Sequence, residues 1–488
     1  MSRADADPDH EHVVVIGAGP SGLSAALALC RGGLRPLVLE RDDDVGGLMR
    51  SIKWRDFTVD LGRKELYTRF PEVDALWTEA LGKEYGPYPH RVGSLYRGRV
   101  LELSGRYRGP LRGIPLPWLI TGCLSMIGGW INAAAHPPAS YQAHWHGRTG
   151  RVFAELLAQG YWEKFRGRRW SEMPAPQEAT DNGNPRSRSF GIIRDALRLA
   201  RRGGVQTQTT WRHPLRGTGQ LFDTLRHEIV ARAGQFRFKA DVRALRPRPD
   251  GGFEVESVEG GGVRRRTAAH VVSCLPVERL AELLGYPAVR EGSDTREVGR
   301  SVMLVYLFLD EAPRFPHAWL EVNDPGMAVG RITNYAAFSE AMVPPGHTGL
   351  CAEFFCQSND PAMRLDDKEA TRLAVHELAG AGLIAPGRLM GSIVRRLPRT
   401  NAAASWREQQ TERRATLLRS LSRFTNLYHV NRPGSDWATL AGLLAGEAIL
   451  TGSRTVFDER ADPTARHLEA PIKAAPNKPA TVGLGAAY

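Results

Sequence analysis

One short stretch near the N-terminus constrains the fold of this 488-residue chain more than any other. The apolar run from His12 to Ile16 is typical of a buried β-strand, and it passes directly into the glycine-rich loop Gly17–Gly22. A helix is expected from this loop to Arg31, followed by a second strand at residues 36–40 that ends in Glu40. This order predicts a β-α-β unit, and therefore an α/β fold with a Rossmann-like nucleotide-binding domain.

The glycine spacing, Gly-x-Gly-x-x-Gly, has a specific chemistry at the start of a helix. Gly17 permits a tight turn, Gly19 lets the backbone approach a pyrophosphate, and Gly22 lets the helix pack closely on the sheet. The first turn of the helix offers unpaired N–H groups to an anion, and Glu40 is placed to accept hydrogen bonds from ribose hydroxyls. The predicted dinucleotide contacts are therefore Gly17, Gly19, Pro20, Ser21, Gly22 and Glu40.

The residues after Glu40 indicate which dinucleotide the chain binds. They read Arg41-Asp42-Asp43-Asp44-Val45-Gly46-Gly47-Leu48-Met49-Arg50, and the second glycine pair resembles the signature of the FAD-dependent amine oxidase and phytoene desaturase superfamily. The resemblance implies that Gly46 and Gly47 carry the chain under the diphosphate of a non-covalently bound FAD, with Arg50 beside it. By the same resemblance, further FAD contacts are expected at Arg41, Leu48, Gly62, Arg63, Val242, Arg432, Asp436 and Trp437.

Other segments resemble this superfamily in ordered pieces between residues 12 and 455. The match at 426–452 implies a helix whose N-terminus points at the N1–C2=O edge of the flavin, where its dipole stabilises negative charge. Residues 59–68 resemble the branch that contains UDP-galactopyranose mutases and protoporphyrinogen oxidases. The fold implied is a Rossmann-like FAD-binding domain with an inserted substrate domain of antiparallel sheet plus helices.

Lys64 is the predicted catalytic residue. By resemblance it lies beside the flavin ring, at a position where the branch usually has histidine. A lysine removed from water there could hold a water molecule or act as a base. The alternative is a solvated loop lysine that pairs with Glu65. A second departure, Asn431-Arg432 in place of a Gly-Arg pair, prevents a direct transfer of the mutase activity to this chain.

The predicted domain organisation follows the same match. The FAD-binding domain is expected at 12–100, 212–295 and 420–455, the substrate domain at 101–211 and 296–419, a disordered leader at 1–11 and a flexible tail at 456–488. The uncharged stretch from Gly113 to Ala135 is long enough to span a bilayer. A helix buried between the lobes is the favoured interpretation, ahead of peripheral membrane contact and of a true span.

Composition narrows the functional classes. The net charge is +12, which favours anionic partners, but no basic helix with interleaved aromatic residues indicates nucleic acid. His144 and His146 lie two residues apart, so they do not face one site on a helix, and no metal is predicted. The five scattered cysteines and the polar N-terminus favour a cytoplasmic protein, with peripheral membrane attachment left open.

The leading functional prediction is an FAD-dependent oxidoreductase, an oxidase or desaturase. It would transfer hydride from a small-molecule substrate to flavin N5, in secondary metabolism. The arginine-rich substrate lobe favours an anionic or glycosylated substrate. Two alternatives stay open: a non-redox flavin-dependent mutase acting on a nucleotide sugar, and a non-catalytic FAD-binding protein. The sequence leaves the oligomeric state undetermined.

Overall fold

The computed structural model describes residues 10–103, 113–176, 211–286, 300–357, 360–401 and 415–461. The strands in these ranges are β1 (His10–Ile16), β2 (Leu37–Leu39), β3 (Ser51–Trp54), β4 (Phe57–Asp60), β5 (Tyr85–Tyr88), β6 (Val92–Tyr96), β7 (Arg99–Glu102), β8 (Trp211–Pro214), β9 (Gln235–Arg237), β10 (Ala240–Pro247), β11 (Phe253–Glu259), β12 (Gly262–Ser273), β13 (Arg300–Leu309), β14 (Trp319–Val322), β15 (Arg331–Asn334), β16 (Thr348–Cys356), β17 (Leu389–Asn401) and β18 (Leu427–His429). The α-helices are α1 (Pro20–Arg31), α2 (Pro71–Leu81), α3 (Leu116–Ala135), α4 (Tyr141–Thr149), α5 (Arg151–Ala154), α6 (Gly160–Arg166), α7 (Gly219–Ala231), α8 (Val277–Leu283), α9 (Asp367–Gly380), α10 (Ser435–Thr451) and α11 (Thr455–Arg460).

The first sheet contains the predicted β-α-β unit. Its strand order is β10-β11-β12-β1-β2-β9, and β18 pairs with β12. Strands β1, β2, β9, β18 and the end of β12 run parallel, whereas β10, β11 and the start of β12 form an antiparallel meander. The apolar run at Val13–Val15 is almost fully buried, because helices cover both faces of the parallel part.

Two helices with the same direction pack on one face of this sheet. A Cβ on Gly442 of α10 would lie 2.1 Å from the carbonyl oxygen of Ser21, and one on Gly446 would lie 2.6 Å from the Cβ of Ala28. Only glycine permits this approach, and Ser24 Oγ also donates a hydrogen bond of 2.9 Å to the carbonyl oxygen of Thr439. The N-termini of α1 and α10 are thereby placed at the same edge of the sheet, the edge where the parallel strands end.

The second sheet has the order β17-β13-β16-β15-β14-β6-β7. It is antiparallel except where β14 runs parallel to β6. Alternate residues of β13 point to opposite faces, as the pleat requires: Met303 and Val305 pack under α9, whereas Leu304 and Tyr306 face β4 of the nucleotide-binding lobe. One face of this sheet therefore closes against the first lobe.

The described strands and helices do not follow three of the predicted boundaries. Strands β6 and β7 lie within the stretch 12–100 that was predicted for the FAD domain, or just beyond it, but they extend the second sheet because β6 pairs with β14. The predicted leader is ordered from His10, and the predicted tail begins with helix α11, whose Phe457 is buried. Residues 1–9, 104–112, 177–210, 287–299, 358–359, 402–414 and 462–488 lie outside the described part of the chain, so the predictions for them stay predictions.

The apolar stretch at 113–135 was expected to be buried between the lobes, and this expectation is wrong. It forms helix α3, whose apolar side chains include Leu116, Leu124 and Ile131, exposed by 64–68%. Within the described residues, α3 is the one helix that is long and apolar enough to cross a membrane, and 6% of its most apolar window is buried. The reason for the error is that both sides of α3 are apolar, so periodicity could not assign the buried side.

Candidate functional site

The glycine-rich loop has the close packing that its sequence predicts. Gly17 has φ of +100°, a conformation that favours glycine, and its N–H donates a hydrogen bond of 2.8 Å to the carbonyl oxygen of Leu39. A Cβ on Gly22 would lie 1.9 Å from the carbonyl oxygen of Gly17. The side chain of Cys274, at the end of β12, fills the space behind the loop, and burial raises the pKa of its thiol to about 12. Cys274 is therefore a neutral packing residue.

The outer side of the same loop is open. Among the described residues, no heavy atom lies within 4 Å of a Cβ built on Gly19. Gly19 is also the N-cap of α1, and no described side chain caps the helix there, while Pro20 opens the first turn. An uncapped helix N-terminus beside open space fits the diphosphate of a dinucleotide, because the N–H groups of Ser21 and Gly22 are in the first turn.

Glu40 joins three segments around this loop. The residue is 8% exposed, and its carboxylate accepts a hydrogen bond of 2.6 Å from the N–H of Ala18 and one of 2.9 Å from the N–H of Asp42. The N–H of Gly46 donates to the carbonyl oxygen of Ala18 at 2.8 Å, and Gly47 lies against Gly19. The two glycine-rich segments that sequence analysis singled out are thus in direct contact.

The other predicted FAD contacts of this lobe lie at the rim of the loop. Leu48 is 49% exposed, Arg41 is exposed, and Arg50 forms an ion pair of 2.8 Å with Asp42. Val242 is buried on β10, two residues after Ala240, whose N–H donates to the carbonyl oxygen of Glu40. These residues surround one end of the site, and their contact with FAD stays a prediction.

The start of α10 closes the opposite side of the candidate site. Asn431 Nδ2 donates a hydrogen bond of 2.9 Å to the carbonyl oxygen of Cys274, which ties the segment before α10 to the glycine-rich loop. Burial raises the pKa of Asp436 in the first turn of α10. The buried Nε1 of Trp437 has no hydrogen-bond partner within the described residues. A buried donor without a partner fits a site that takes a polar group.

Arg432 makes contacts that differ from the predicted one. Its guanidinium is 7% exposed and donates to the carbonyl oxygen of Ala461 at 2.6 Å and to that of Asn431 at 2.8 Å. These bonds attach the end of α11 to the segment before α10. The described contacts of Arg432 are therefore structural, and its predicted contact with the FAD diphosphate stays a prediction. His429 Nε2 donates a hydrogen bond of 3.0 Å to the carbonyl oxygen of Leu275, as a packing histidine does.

Replacing Glu40 by alanine is expected to raise the dissociation constant for FAD about tenfold to 100-fold, because a charged acceptor of two N–H groups is lost. The measurement is the flavin-to-protein absorbance ratio after purification, followed by titration of the apoprotein with FAD. Asp43→Ala, at an exposed acid of the same segment, is the matched control and should retain FAD. A Glu40→Ala protein that purifies with full flavin would remove Glu40 from the site.

The loop that carries Lys64 is held by the second sheet. The hydroxyl of Tyr306 donates to the carbonyl oxygen of Asp60 at 2.9 Å and accepts from the N–H of Gly62 at 3.1 Å. The single O–H of Tyr335 is shared between the carbonyl oxygens of Asp60 and Gly62, at 2.8 and 3.1 Å, respectively. The N–H of Arg63 donates to Glu353 at 2.9 Å. Three buried side chains, from Tyr306 on β13, Tyr335 just after β15 and Glu353 on β16, thus fix the backbone that leads into Lys64.

Lys64 is in an environment that weakens its affinity for protons. Burial lowers the pKa of its ammonium group to about 8, although the charges of Glu353 and Asp60 act in the opposite direction. Glu353 is 2% exposed and accepts two hydrogen bonds from Arg331, at 3.0 and 2.6 Å. Burial would raise the pKa of Glu353, but Arg331, the Arg63 N–H and Lys64 together hold it below its usual value.

Further charged groups surround Lys64. Arg63 lies over the ring of Trp319 at 4.5 Å and forms an ion pair with Glu65. Burial would raise the pKa of Glu65, but Arg63, His90 and Tyr88 lower it to about 2. Burial raises the pKa of Glu321 to about 7, against the charges of Arg63 and Arg331. Lys64 and Glu321 both lie within the influence of Arg63 and Arg331, and burial moves the pKa of each group towards neutral.

Sequence analysis missed most of this cluster. It singled out Lys64 and Arg63, but not Glu353, Arg331 or Tyr335. The signal available was a polar residue inside an apolar strand, since Glu353 interrupts the run Leu350–Cys356. Within the described ranges, no group of three or more histidine, cysteine or acidic side chains has a geometry suited to a metal ion.

The glycine-rich loop and the charged cluster around Lys64 are suited to two different tasks, dinucleotide binding and proton exchange. The loop, Glu40 and the start of α10 offer N–H groups and acceptors to a long dinucleotide. Lys64 lies where the two lobes meet and can hold or release a proton at Nζ.

Comparison with known proteins gives a family and a fold. Residues 20–389 match the family described as flavin containing amine oxidoreductase. A reduced UDP-galactopyranose mutase superposes with a TM-score of 0.70 at 18% identity, covering 93% of this chain and 98% of that one. A protein described as a putative protoporphyrinogen oxidase, from Exiguobacterium sp. 255-15, superposes with a TM-score of 0.65 at 16% identity, covering 91% and 99%.

Curated relatives match over short stretches. A 4,4'-diapolycopene oxygenase from Methylomonas sp is 37% identical over 103 residues, which is 20% of this chain and 20% of that protein. A probable flavin-containing monoamine oxidase A from Dictyostelium discoideum is 28% identical over 134 residues, covering 26% of this chain and 28% of that protein. The matched stretches span about a fifth to a quarter of the length of these relatives. The matches therefore do not show that this chain has the activities of these relatives.

Proposed function

This chain belongs to the flavin-containing amine oxidoreductase family, and we propose that it removes hydride from a C–H bond of a small organic substrate. The observation that carries the proposal is Lys64, whose pKa is lowered to about 8 by burial and whose flanking backbone is fixed by three side chains of the second sheet. A group that exchanges a proton near neutral pH, held rigidly where the lobes meet, suits an oxidoreductase better than a binding protein.

The cofactor prediction is confirmed: the family is a flavin family, and its usual mode is FAD held without a covalent bond. The residues of this chain fit FAD, because Gly19 leaves open space at an uncapped helix N-terminus and Trp437 has a buried donor without a partner in the described ranges. When bound, FAD supplies the acceptor for the hydride.

We assign the following tasks to this chain's own residues. The glycine-rich loop and Glu40 bind the cofactor at the edge of the parallel sheet. Trp319 and Phe355, on the face of the second sheet that also carries Glu353, pack around the charged cluster and exclude water from it. Lys64 takes or returns the proton that accompanies hydride removal, and Glu353 keeps that ammonium group oriented. Arg63 and Arg331 already pair with carboxylates, so they do not by themselves favour an anionic substrate.

The test is an anaerobic titration of the FAD-loaded protein. Amines, amino acids, alcohols and apolar polyenes are added in turn while the absorbance of oxidised flavin is followed. Reduction by one class supports the proposal and identifies the substrate class. No reduction by any class, together with turnover of a nucleotide sugar by pre-reduced enzyme without net electron consumption, would replace it by the mutase alternative.

The non-catalytic alternative makes a different prediction. It expects FAD that is reduced by dithionite but by no organic substrate, and no turnover of nucleotide sugar by the reduced protein. Reduction of the flavin by any organic substrate, or turnover of a nucleotide sugar by the reduced protein, would exclude this alternative.

A further inference from the structure

Helix α3 presents a continuous apolar stripe to solvent. The stripe consists of five large aliphatic side chains that are 49–68% exposed: Leu116, Ile120, Leu124, Ile127 and Ile131. Their spacings of four, four, three and four residues place them within one narrow arc of the helix. At 1.5 Å per residue, the part of α3 from Leu116 to Ile131 gives the stripe a length of about 22 Å. A row of this size is unusual for a surface that remains in water.

The opposite side of α3 is fixed to the protein. A Cβ on Gly122 would lie 2.5 Å from the ring of Phe153, and one on Gly129 would lie 2.3 Å from the carbonyl oxygen of His146. Trp130 Nε1 donates a hydrogen bond of 3.1 Å to the carbonyl oxygen of Arg148. Because one side is packed on α4 and α5, lipid cannot surround α3. The helix can lie on a bilayer, but it cannot cross one as an isolated span.

The sequence around α3 carries more positive than negative charge. Between Leu103 and Ala154 the sequence contains five arginines and neither aspartate nor glutamate. Two of these, Arg148 and Arg151, lie in the described elements that pack under α3, where Arg151 also forms an ion pair of 3.7 Å with Glu155. Trp118 and Trp130, near the two ends of the helix, are half-buried and suit the level of lipid headgroups. An apolar stripe with a basic surround is complementary to anionic lipid.

We propose that α3 docks on the surface of an anionic lipid bilayer, with its axis parallel to the membrane and the stripe inserted among the acyl chains. A second copy of the chain is a poorer occupant of the stripe, because two copies with a net charge of +12 would bring the same basic surround together. The proposal uses only the surface of α3, so it is independent of the chemistry at Lys64.

The test is sedimentation of the FAD-loaded full chain with vesicles of phosphatidylcholine alone or with phosphatidylserine added. Wild-type protein is expected to bind the vesicles that contain phosphatidylserine, with weaker binding at high salt. The triple variant I120Q/L124Q/I131Q is expected to lose at least tenfold in partition coefficient. The control is V230Q/V263Q/V456Q, which changes three aliphatic residues that are 44–60% exposed elsewhere on the protein and should bind like wild type.

Several outcomes would overturn the proposal. Wild-type protein that stays in the supernatant with both vesicles would do so, as would equal sedimentation of the triple variant. Equal binding to neutral and anionic vesicles would remove the anionic requirement. A wild-type dimer that the triple variant converts to a monomer, without vesicle binding, would assign the stripe to a second copy. Retained flavin and an unchanged unfolding temperature show that the triple variant is folded.

Discussion

Replacing Gly22 by alanine is expected to abolish FAD binding and to lower the unfolding temperature of the protein. The added Cβ would lie 1.9 Å from the carbonyl oxygen of Gly17, which is a backbone atom that cannot rotate away. Either the loop or the start of α1 must shift, and overpacking of this kind costs about 1–3 kcal/mol. The shift displaces the N–H groups that we assign to the diphosphate. Flavin content after purification and thermal unfolding of the apoprotein measure the two effects.

Gly19→Ala separates these two effects. No described heavy atom lies within 4 Å of the new Cβ, and Gly19 has φ of −80°, which alanine adopts without strain. The apoprotein should therefore unfold at the wild-type temperature, while affinity for FAD falls because the Cβ occupies the space meant for the diphosphate. Gly380→Ala, at the end of α9 with no described atom nearby, is the control for both measurements. Full FAD affinity in Gly19→Ala would place the diphosphate elsewhere.

The nucleotide-binding lobe was predictable because its determinants are close together in sequence. The strand at 12–16, the loop and the helix that follows are set by neighbouring residues, and the structure has them at His10–Ile16 and Pro20–Arg31. Glycine positions are informative for the same reason. A turn with positive φ, or a helix start without room for a Cβ, excludes most residues other than glycine. A glycine in such a segment therefore indicates the backbone conformation from the sequence alone.

The surroundings of Lys64 were not predictable in the same way. Gly62 bonds to Tyr306, which is 244 residues away, and Arg63 bonds to Glu353, which is 290 residues away. These contacts depend on how the second sheet closes against the first lobe, and no local pattern in a single sequence specifies that closure. The same holds for β6, whose place in the second sheet is set by pairing with β14 more than 200 residues later.

Replacing Lys64 by methionine is expected to slow one of the two half-reactions of the flavin, its reduction or its reoxidation, roughly 100-fold. FAD should stay bound, because the loop is held through the backbone of Gly62 and Arg63 and not through the Lys64 side chain. Methionine has a similar length and no charge, so the variant removes the proton carrier and leaves most of the packing. Stopped-flow reduction by substrate and reoxidation by oxygen measure the two half-reactions.

The pH dependence gives a second signature of Lys64. Its pKa of about 8 lies below the usual 10.5, so the neutral amine becomes the main form as pH rises through 8. If the neutral amine is the base, the affected rate rises with pH up to about 8 and is then level. Stability has a related dependence: between about pH 8 and 10.5 the unfolded chain binds the proton that the folded chain has lost, so stability rises with pH there. Lys64→Met should remove both dependences.

Lys64→Arg and Lys53→Met complete this experiment. Arginine keeps a positive charge beside Glu353 but does not titrate in this pH range. If Lys64 acts as a proton carrier, the arginine variant is as slow as the methionine variant. If Lys64 only orients Glu353 by its charge, arginine restores the rate. Lys53 is exposed on β3, and its replacement should change neither rate. Wild-type rates and an unchanged pH profile in Lys64→Met would exclude Lys64 from the reaction. Removal of a group that carries the proton must change the rate of a half-reaction and its pH dependence.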